Sequence, residues 1–170
     1  IQLFASDAQS ALDNVIQGYR IAEDMKVRLP FAVNLRGFTG THAYEGVEIP
    51  DQKAVDSLLP SYVPFYSLFA PDKPVTYGAM LSAYPYRRHK RNQMEILRQS
   101  AAVAQKVGKE FGKNFGRAYG LFEWIGDPKA DLVIALMGES ASPGEVVVRH
   151  LQGREGIPGV ALLKIRLFSP

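Results

Sequence analysis

Leu132-Val133-Ile134-Ala135-Leu136-Met137 is an unbroken apolar run closed by Gly138. It is too short for a buried helix, which needs about 10–12 residues, and reads as a fully apolar strand. Ser142 can cap a following helix with Pro143 at its first position, where proline's missing N–H would be unpaired anyway. Val146, Val147, His150 and Leu151 give that helix an apolar face, and Gly153 to Gly159 form the turn out of it. Val160 to Phe168 is then a second strand. Strand, helix and strand at this spacing make a right-handed βαβ unit with parallel strands. The chain is therefore expected to be α/β.

The earlier part fits the same class. Ser6-Asp7-Ala8-Gln9 has the form of a capping box. Ala8, Leu12, Val15, Ile16 and Tyr19 recur at helical spacing, with Gln9, Asp13, Gln17 and Arg20 on the other face, to an end near Lys26. Phe31 to Leu35 reads as a buried strand that stops at Gly37, which suggests a parallel sheet. Asp51 caps a shorter helix through Leu59, closed by Pro60. From Pro60 to about Arg91, Pro60, Pro64, Pro71, Pro74 and Pro85 interleave with Gly78 and with Tyr62, Tyr66, Tyr77, Tyr84 and Tyr86. Proline removes backbone donors and restricts the preceding residue, so no long regular element is expected there. An ordered linker lying over two domains accounts for the aromatic content. A long helix follows from about Asn92 to Phe115, with an apolar stripe through Leu97, Ala101, Ala104, Gly108, Phe111 and Phe115. Gly108, Gly112 and Gly116 fall four apart, which points to close packing against another helix or to a helix that stops near Gly112.

Composition narrows the function. At 46% hydrophobic and 22% charged residues, a chain of 170 residues can bury a core as one domain or as parts of two. A net charge of +3 is too small to imply nucleic acid as a partner. The absence of cysteine excludes disulfides, thiolate zinc, thiol nucleophiles and iron–sulfur clusters ligated by this chain. No apolar run approaches the ~20 residues of a membrane span, so no membrane association is expected. The chain opens on Ile1, which fits a processed product or a piece of something longer.

Three segments are candidates for chemistry. Gly138 to Gly144 joins a strand to a helix N-terminus, where backbone N–H groups could hold a phosphate. It lacks the spaced glycines and the Gly-Lys-Ser/Thr ending of nucleotide loops, and Glu139 would repel an anion, so an ordinary turn is the default. Arg87-Arg88-His89-Lys90-Arg91 is the one basic run, either a patch for an acidic partner or a solvated surface. His42 follows the first strand, beside Thr41 and close to Glu45 and Glu48. Loops at the carboxyl ends of parallel strands are where α/β proteins gather ligands. A histidine and carboxylates there suit acid–base work or metal binding. No histidine stands at metal-like spacing to another, so a structural His42 is the default reading.

Several stretches, read in order, resemble the alpha subunit of the 2-oxoacid:ferredoxin oxidoreductase family, pyruvate type first. Ala11 to Asp24 resembles the family helix. Leu29-Pro30, Val33 to Phe38, Thr41-His42, Val47-Glu48-Ile49 and Asp51-Gln52 resemble the strand and loop after it. Lys73 to Gly78, Phe115 to Leu121, Ala130-Asp131, Met137-Gly138 and Ala161 to Pro170 match further family stretches. Arg36 and Glu139 depart from the pattern, which has aspartate and serine there.

The resemblance implies the closing part of a thiamine diphosphate pyrimidine-binding domain over residues 1–65 and a Pro/Tyr-rich linker over 66–91. It implies a long helix and the first βαβ of a transketolase C-terminal-like domain over 92–170. It implies a cytoplasmic enzyme that oxidatively decarboxylates a 2-oxoacid, with coenzyme A and with ferredoxin or flavodoxin as acceptor. Thiamine diphosphate, Mg²⁺ and iron–sulfur clusters then belong to the full complex and are held by other domains or subunits, and this chain alone is expected to bind none and to be inactive. No catalytic residue is carried over by the resemblance. His42 is the one candidate, and Thr41 and His42 mark a loop expected to border the cofactor cleft. The competing reading is a non-catalytic module that docks an acidic partner through its tyrosines and basic run.

Overall fold

The computed structural model describes residues 1–169 apart from 65, 66, 68 and 76. Tyr66, Thr76, Pro170 and the 65/66 boundary thus lie outside the described residues. The chain is α/β. It runs β1 (Gln2–Phe4), α1 (Ala8–Ala22), β2 (Ala32–Asn34), α2 (Gln52–Leu58), α3 (Ala83–Phe115), β3 (Phe122–Gly126), β4 (Leu132–Met137), α4 (Ala141–Leu151), β5 (Val160–Ile165) and β6 (Leu167–Ser169).

Two small sheets form, in the orders β2-β1-β6 and β3-β5-β4. The expected βαβ unit is present: β4 and β5 are parallel and in register from Leu132↔Val160 to Met137↔Ile165. β1 and β2 are also parallel, while β3 and β6 pair antiparallel with β5 and β1. The last expected strand is in fact two. It leaves one sheet after Ile165 and enters the other at Leu167, with the Arg166 and Leu167 N–H groups both donating to the Leu121 carbonyl.

The strand expected to be buried, Phe31 to Leu35, is not, and the apolar strand β4 is exposed as well, for one physical reason. Both β2 and β4 lie at sheet edges, and a strand paired on one side only leaves much of its surface open. Ala32 is exposed and Val33 half-buried, and Leu132 to Ala135 are exposed. The central β5 is the buried strand: Val160, Ala161 and Leu162 are all buried, and Val160 and Leu162 pack with Ile125 and Val148.

The helices differ from expectation mainly at their starts. Asp7 caps α1 instead of Ser6: its carboxylate accepts from the Ser10 N–H at 2.7 Å, while Ser10 Oγ accepts from the Asp7 N–H at 3.1 Å. A carboxylate also suits the positive end of the helix better than a hydroxyl. α4 begins one residue before Ser142, after a tight turn over Gly138–Ser140, and the Ser142 hydroxyl instead donates to the Ser6 carbonyl at 2.7 Å. α3 begins at Ala83, well before Asn92. Pro85 falls in its first turn, where the missing N–H has no intrahelical partner to lose.

The core is centred on α1 against α3. Ile16, Leu58 and Phe111 form one cluster, and Ile21, Ala104 and Val107 another. The spaced glycines of α3 serve the chain's own return, not a second helix. A Cβ at Gly108 would overlap the Tyr119 carbonyl oxygen, and one at Gly112 would lie 2.6 Å from the Ala118 Cβ. Gly116 ends the helix in the left-handed region at φ 73°. The segment after it can therefore double back closely along α3.

Candidate functional site

The loop after β2 leaves the carboxyl end of a parallel strand and folds into a tight knuckle. Phe38 has φ 69°, an uncommon conformation for a bulky residue. Its N–H donates to Thr41 Oγ1 at 3.2 Å, and its carbonyl accepts from the His42 N–H at 3.2 Å. Thr41 and His42 are exposed at the tip, with the His42 ring 5.3 Å from that of Phe38.

Distant residues fasten this knuckle. Thr39 Oγ1 donates to Glu139 Oε2 at 2.8 Å, and Arg36 Nη1 donates to Ser140 Oγ at 3.3 Å. Gly40 lies against the Glu139 carboxylate, where any Cβ would overlap it. The two positions that depart from the family pattern thus meet at one junction.

The other carboxylates of the loop are also engaged. Glu45 Oε2 accepts from the Ala8 N–H at 2.8 Å, at the positive end of α1. The Glu48 backbone bonds the Gln9 amide twice, and its carboxylate accepts from Arg117 Nη1 at 2.7 Å. Neither carboxylate bonds His42, so the structure does not assemble these three residues into an acid–base set. Among the described residues no three His, Asp or Glu side chains are grouped to hold a metal.

The Gly138–Gly144 turn is likewise used structurally. Glu139, Ser140 and Ser142 bond Thr39, Arg36 and the Ser6 carbonyl. Asp7, Glu45 and Glu139 line the cavity at this junction and would repel a diphosphate. These residues do not suit the Mg²⁺–diphosphate end of a thiamine cofactor, and no chemical step is assigned to them.

Beside the junction a buried polar network joins α1 to both sheets. Asp13, fully buried, accepts from Arg117 Nε at 2.7 Å, Arg117 Nη2 at 3.2 Å and the Tyr119 hydroxyl at 2.6 Å. Arg166, at the point where the chain changes sheet, donates to Asn14 Oδ1 at 2.7 Å, Gln17 Oε1 at 2.9 Å and the Gly120 carbonyl at 3.2 Å. Its guanidinium lies 4.9 Å from the Tyr119 ring centroid.

Burial pulls the Arg166 guanidinium down to about 10, which still leaves it charged at neutral pH. Burial, and then the bond to Asp13, pushes the Tyr119 hydroxyl above its ordinary range. The Asp13 hydrogen bond holds Arg117 above its own. A cavity of about 360 Å³ opens beside this network, lined in part by Ser10, Tyr119, Lys164 and Arg166.

Helical periodicity places Asp13 and Gln17 on the polar face of α1, and the structure buries both. The signal available in sequence was Arg166, one of two charged residues, with Lys164, in the mostly apolar run Val160 to Phe168, but it does not identify its partners.

Comparison with known proteins supplies the family. Residues 1–109 match the family described as pyruvate flavodoxin/ferredoxin oxidoreductase, thiamine diphosphate-binding. The pyruvate synthase subunit PorA of Methanothermobacter thermautotrophicus is 35% identical over 170 residues, covering 100% of this chain and 44% of that protein. PorA of Thermotoga maritima is 37% identical, covering 100% of this chain and 43% of that protein. The ketoisovalerate oxidoreductase subunit VorA of Pyrococcus horikoshii is 31% identical, covering 100% and 42%. The chain therefore spans less than half the length of the curated relatives it matches. With a family match over well more than half of its residues, this chain belongs to the pyruvate flavodoxin/ferredoxin oxidoreductase family.

Proposed function

We propose that this chain is part of the alpha subunit of an oxidoreductase that oxidatively decarboxylates pyruvate. Coenzyme A takes the acyl group, and ferredoxin or flavodoxin takes the two electrons. The observation that carries this reading is end-to-end similarity to several pyruvate synthase subunits, at 30% to 37% identity, with a ketoisovalerate subunit inside that range at 31%. Other subunits are its partners, and they supply the thiamine diphosphate–Mg²⁺ site and the iron–sulfur clusters, for which this chain has no cysteine. Residues 1–65 close a pyrimidine-binding-type domain, 66–91 connect, and 92–170 open a domain of transketolase C-terminal type. No helix among the described residues is long and apolar enough to cross a membrane, which suits work in the cytoplasm.

Within this reading the Thr41–His42 knuckle borders the cofactor cleft, because it follows the carboxyl end of a parallel strand. His42 acts there as a buttress of the loop. The test is the full-length subunit assembled with its partners, assayed for coenzyme A-dependent dye reduction with pyruvate and with the branched oxoacid of valine. Pyruvate is expected to be preferred about 10-fold or more in kcat/KM, the scale on which an apolar pocket separates substrates differing by a few methyl groups. Preference for the branched acid would transfer the assignment to that substrate. No reduction with any 2-oxoacid would refute the proposal.

A further inference from the structure

A helix of 33 residues is about 50 Å long, and α3 uses only part of it for the core. Ser100, Ala104, Val107, Gly108 and Phe111 are buried, whereas every residue from 83 to 92 is exposed. At about 100° per residue, Tyr84, Arg87, Arg91, Met94 and Arg98 fall within an arc of about 80°, spread over about 21 Å of helix. That stripe lies about 140° round the helix from the face that packs in the core. Tyr84 is 81% exposed and Met94 52%.

The charge on the stripe is not neutralised within the chain. Residues 83–94 contain no Asp or Glu. Glu95 makes one long pair with Arg98 at 3.9 Å. Among the described residues Arg87 and Arg91 have neither an ion pair nor a side-chain hydrogen bond.

The side-chain types select the class of partner. Tyr, Arg and Met are enriched at protein interfaces and Lys is depleted there. Here Arg, Tyr and Met share the stripe, while Lys90 points off it and bonds Gln93. A nucleic-acid surface would need a broader basic field than a chain of net charge +3 provides. A membrane-surface helix would need a bulky apolar face, which this stripe lacks. Tyr84 and Met94 among the arginines also favour a packed, lasting contact over a purely electrostatic encounter.

We propose that the α3 stripe of Tyr84, Arg87, Arg91, Met94 and Arg98 seats in a carboxylate-lined groove on a neighbouring subunit of the enzyme. This rests on the reading above that the chain works within a multi-subunit assembly. The guanidinium groups make forked hydrogen bonds to carboxylates, and Tyr84 and Met94 fill the apolar floor between them.

The test uses the full-length subunit co-expressed with its partners. The triple variant Arg87→Glu/Arg91→Glu/Arg98→Glu is compared with wild type by native mass spectrometry and by subunit dissociation across a salt series. Its expected effect is about a 100-fold or greater loss of subunit affinity, with wild-type affinity falling as salt rises. Tyr84→Ala is expected to cost about 10-fold with the salt dependence retained, and it serves if the triple variant fails to fold. Unchanged assembly of both variants at every salt concentration would overturn the proposal. So would intact assembly accompanied only by lost heparin retention, or only by slower reduction of the electron carrier. Because the readout is assembly, loss of affinity in a complex that turns over no 2-oxoacid would still support the stripe while refuting the proposed reaction.

Discussion

Replacing Asp13 tests whether the buried network holds the two sheets together. Asp13 is fully buried and carries a charge-assisted bond from Arg117 Nε at 2.7 Å, a longer one at 3.2 Å, and the Tyr119 hydroxyl at 2.6 Å. Hydrogen bonds to charged groups contribute about 1.5–3 kcal/mol each, and breaking a buried pair by removing one partner costs about 3–5 kcal/mol. The loss here is smaller than the sum, because the Arg117 side chain is 23% exposed and keeps Glu48 at 2.7 Å. Asp13→Ala is therefore expected to cost about 3 kcal/mol and to lower Tm measurably. Asp13→Asn keeps the shape but not the charge, and should cost about half as much. The control is Glu48→Gln, the exposed partner of the same arginine, expected to cost under about 1 kcal/mol. Thermal melts of the assembled full-length subunit, with a double-mutant cycle between Asp13→Asn and Tyr119→Phe, measure these terms. A fall in Tm for Asp13→Ala no larger than that for Glu48→Gln would refute the claim that this network carries load.

Gly108→Ala is expected to destabilise by about 2 kcal/mol or more, because the new methyl would overlap the Tyr119 carbonyl oxygen, a backbone atom that cannot swing away; a melt equal to wild type would show that the return segment is free to shift. Burial raises the Asp7 carboxyl, but bonds from the Ser10 N–H and the Ser10 and Ser6 hydroxyls, with the charge of Lys164, bring it net below the ordinary 3.8. Its contribution is thus fully present above about pH 3.8 and lost as pH falls through the lower native value. Asp7→Asn still caps the helix and should flatten that acid limb in denaturation measured from pH 2 to 6 (about 1 kcal/mol at stake), whereas an unchanged limb would exclude Asp7 as its source. His42→Asn is expected to leave turnover at saturating cofactor within about 10-fold, since proton-transfer histidines contribute about 10²–10⁴-fold. A loss of 10²-fold with unchanged melting temperature and cofactor affinity would make the ring catalytic.

What was legible in sequence followed periodicity and turn chemistry. The β4–α4–β5 unit, the cap at Asp51, the end of α3 at Phe115 and its packing stripe each rest on neighbours within a few positions. The misses have non-local causes. An apolar run specifies a strand but not whether the strand sits at the centre or the edge of a sheet, so β2 reads as buried and nothing in the run of β4 announces its exposure. β1 spans only Gln2–Phe4 and has no pattern of its own, because its strand character comes from pairing with β2 and β6. Pro85 reads as a breaker until the helix is seen to start just before it. At the candidate site, proximity in sequence suggested that Glu45 and Glu48 serve His42, while proximity in space gives them to α1 and Arg117.

The position of the loop is therefore set from outside it. Thr39 reaches Glu139 across 100 residues of chain, Arg36 reaches Ser140 across 104, and Glu48 reaches Arg117 across 69. Each of these three partners belongs to a segment that is itself fixed by the second half of the chain. Glu139 and Ser140 sit on the turn between β4 and α4, and Arg117 sits on the return segment that α3's glycines admit. The knuckle bearing Thr41 and His42 is thus held by the later half of the chain as well as by α1. An error in α3 packing, such as a side chain at Gly108, should reach the loop through Arg117 and Glu48 without touching any of its residues. A change at Glu139 should instead free the Thr39 end of the loop and leave the Glu48 end held. Glu139→Ala and Gly108→Ala should accordingly raise hydrogen exchange in different parts of residues 36–49: near Thr39 for the first, near Glu48 for the second. Uniform exchange along the whole loop in both variants would mean that it moves as one piece and is not clamped at two separate points.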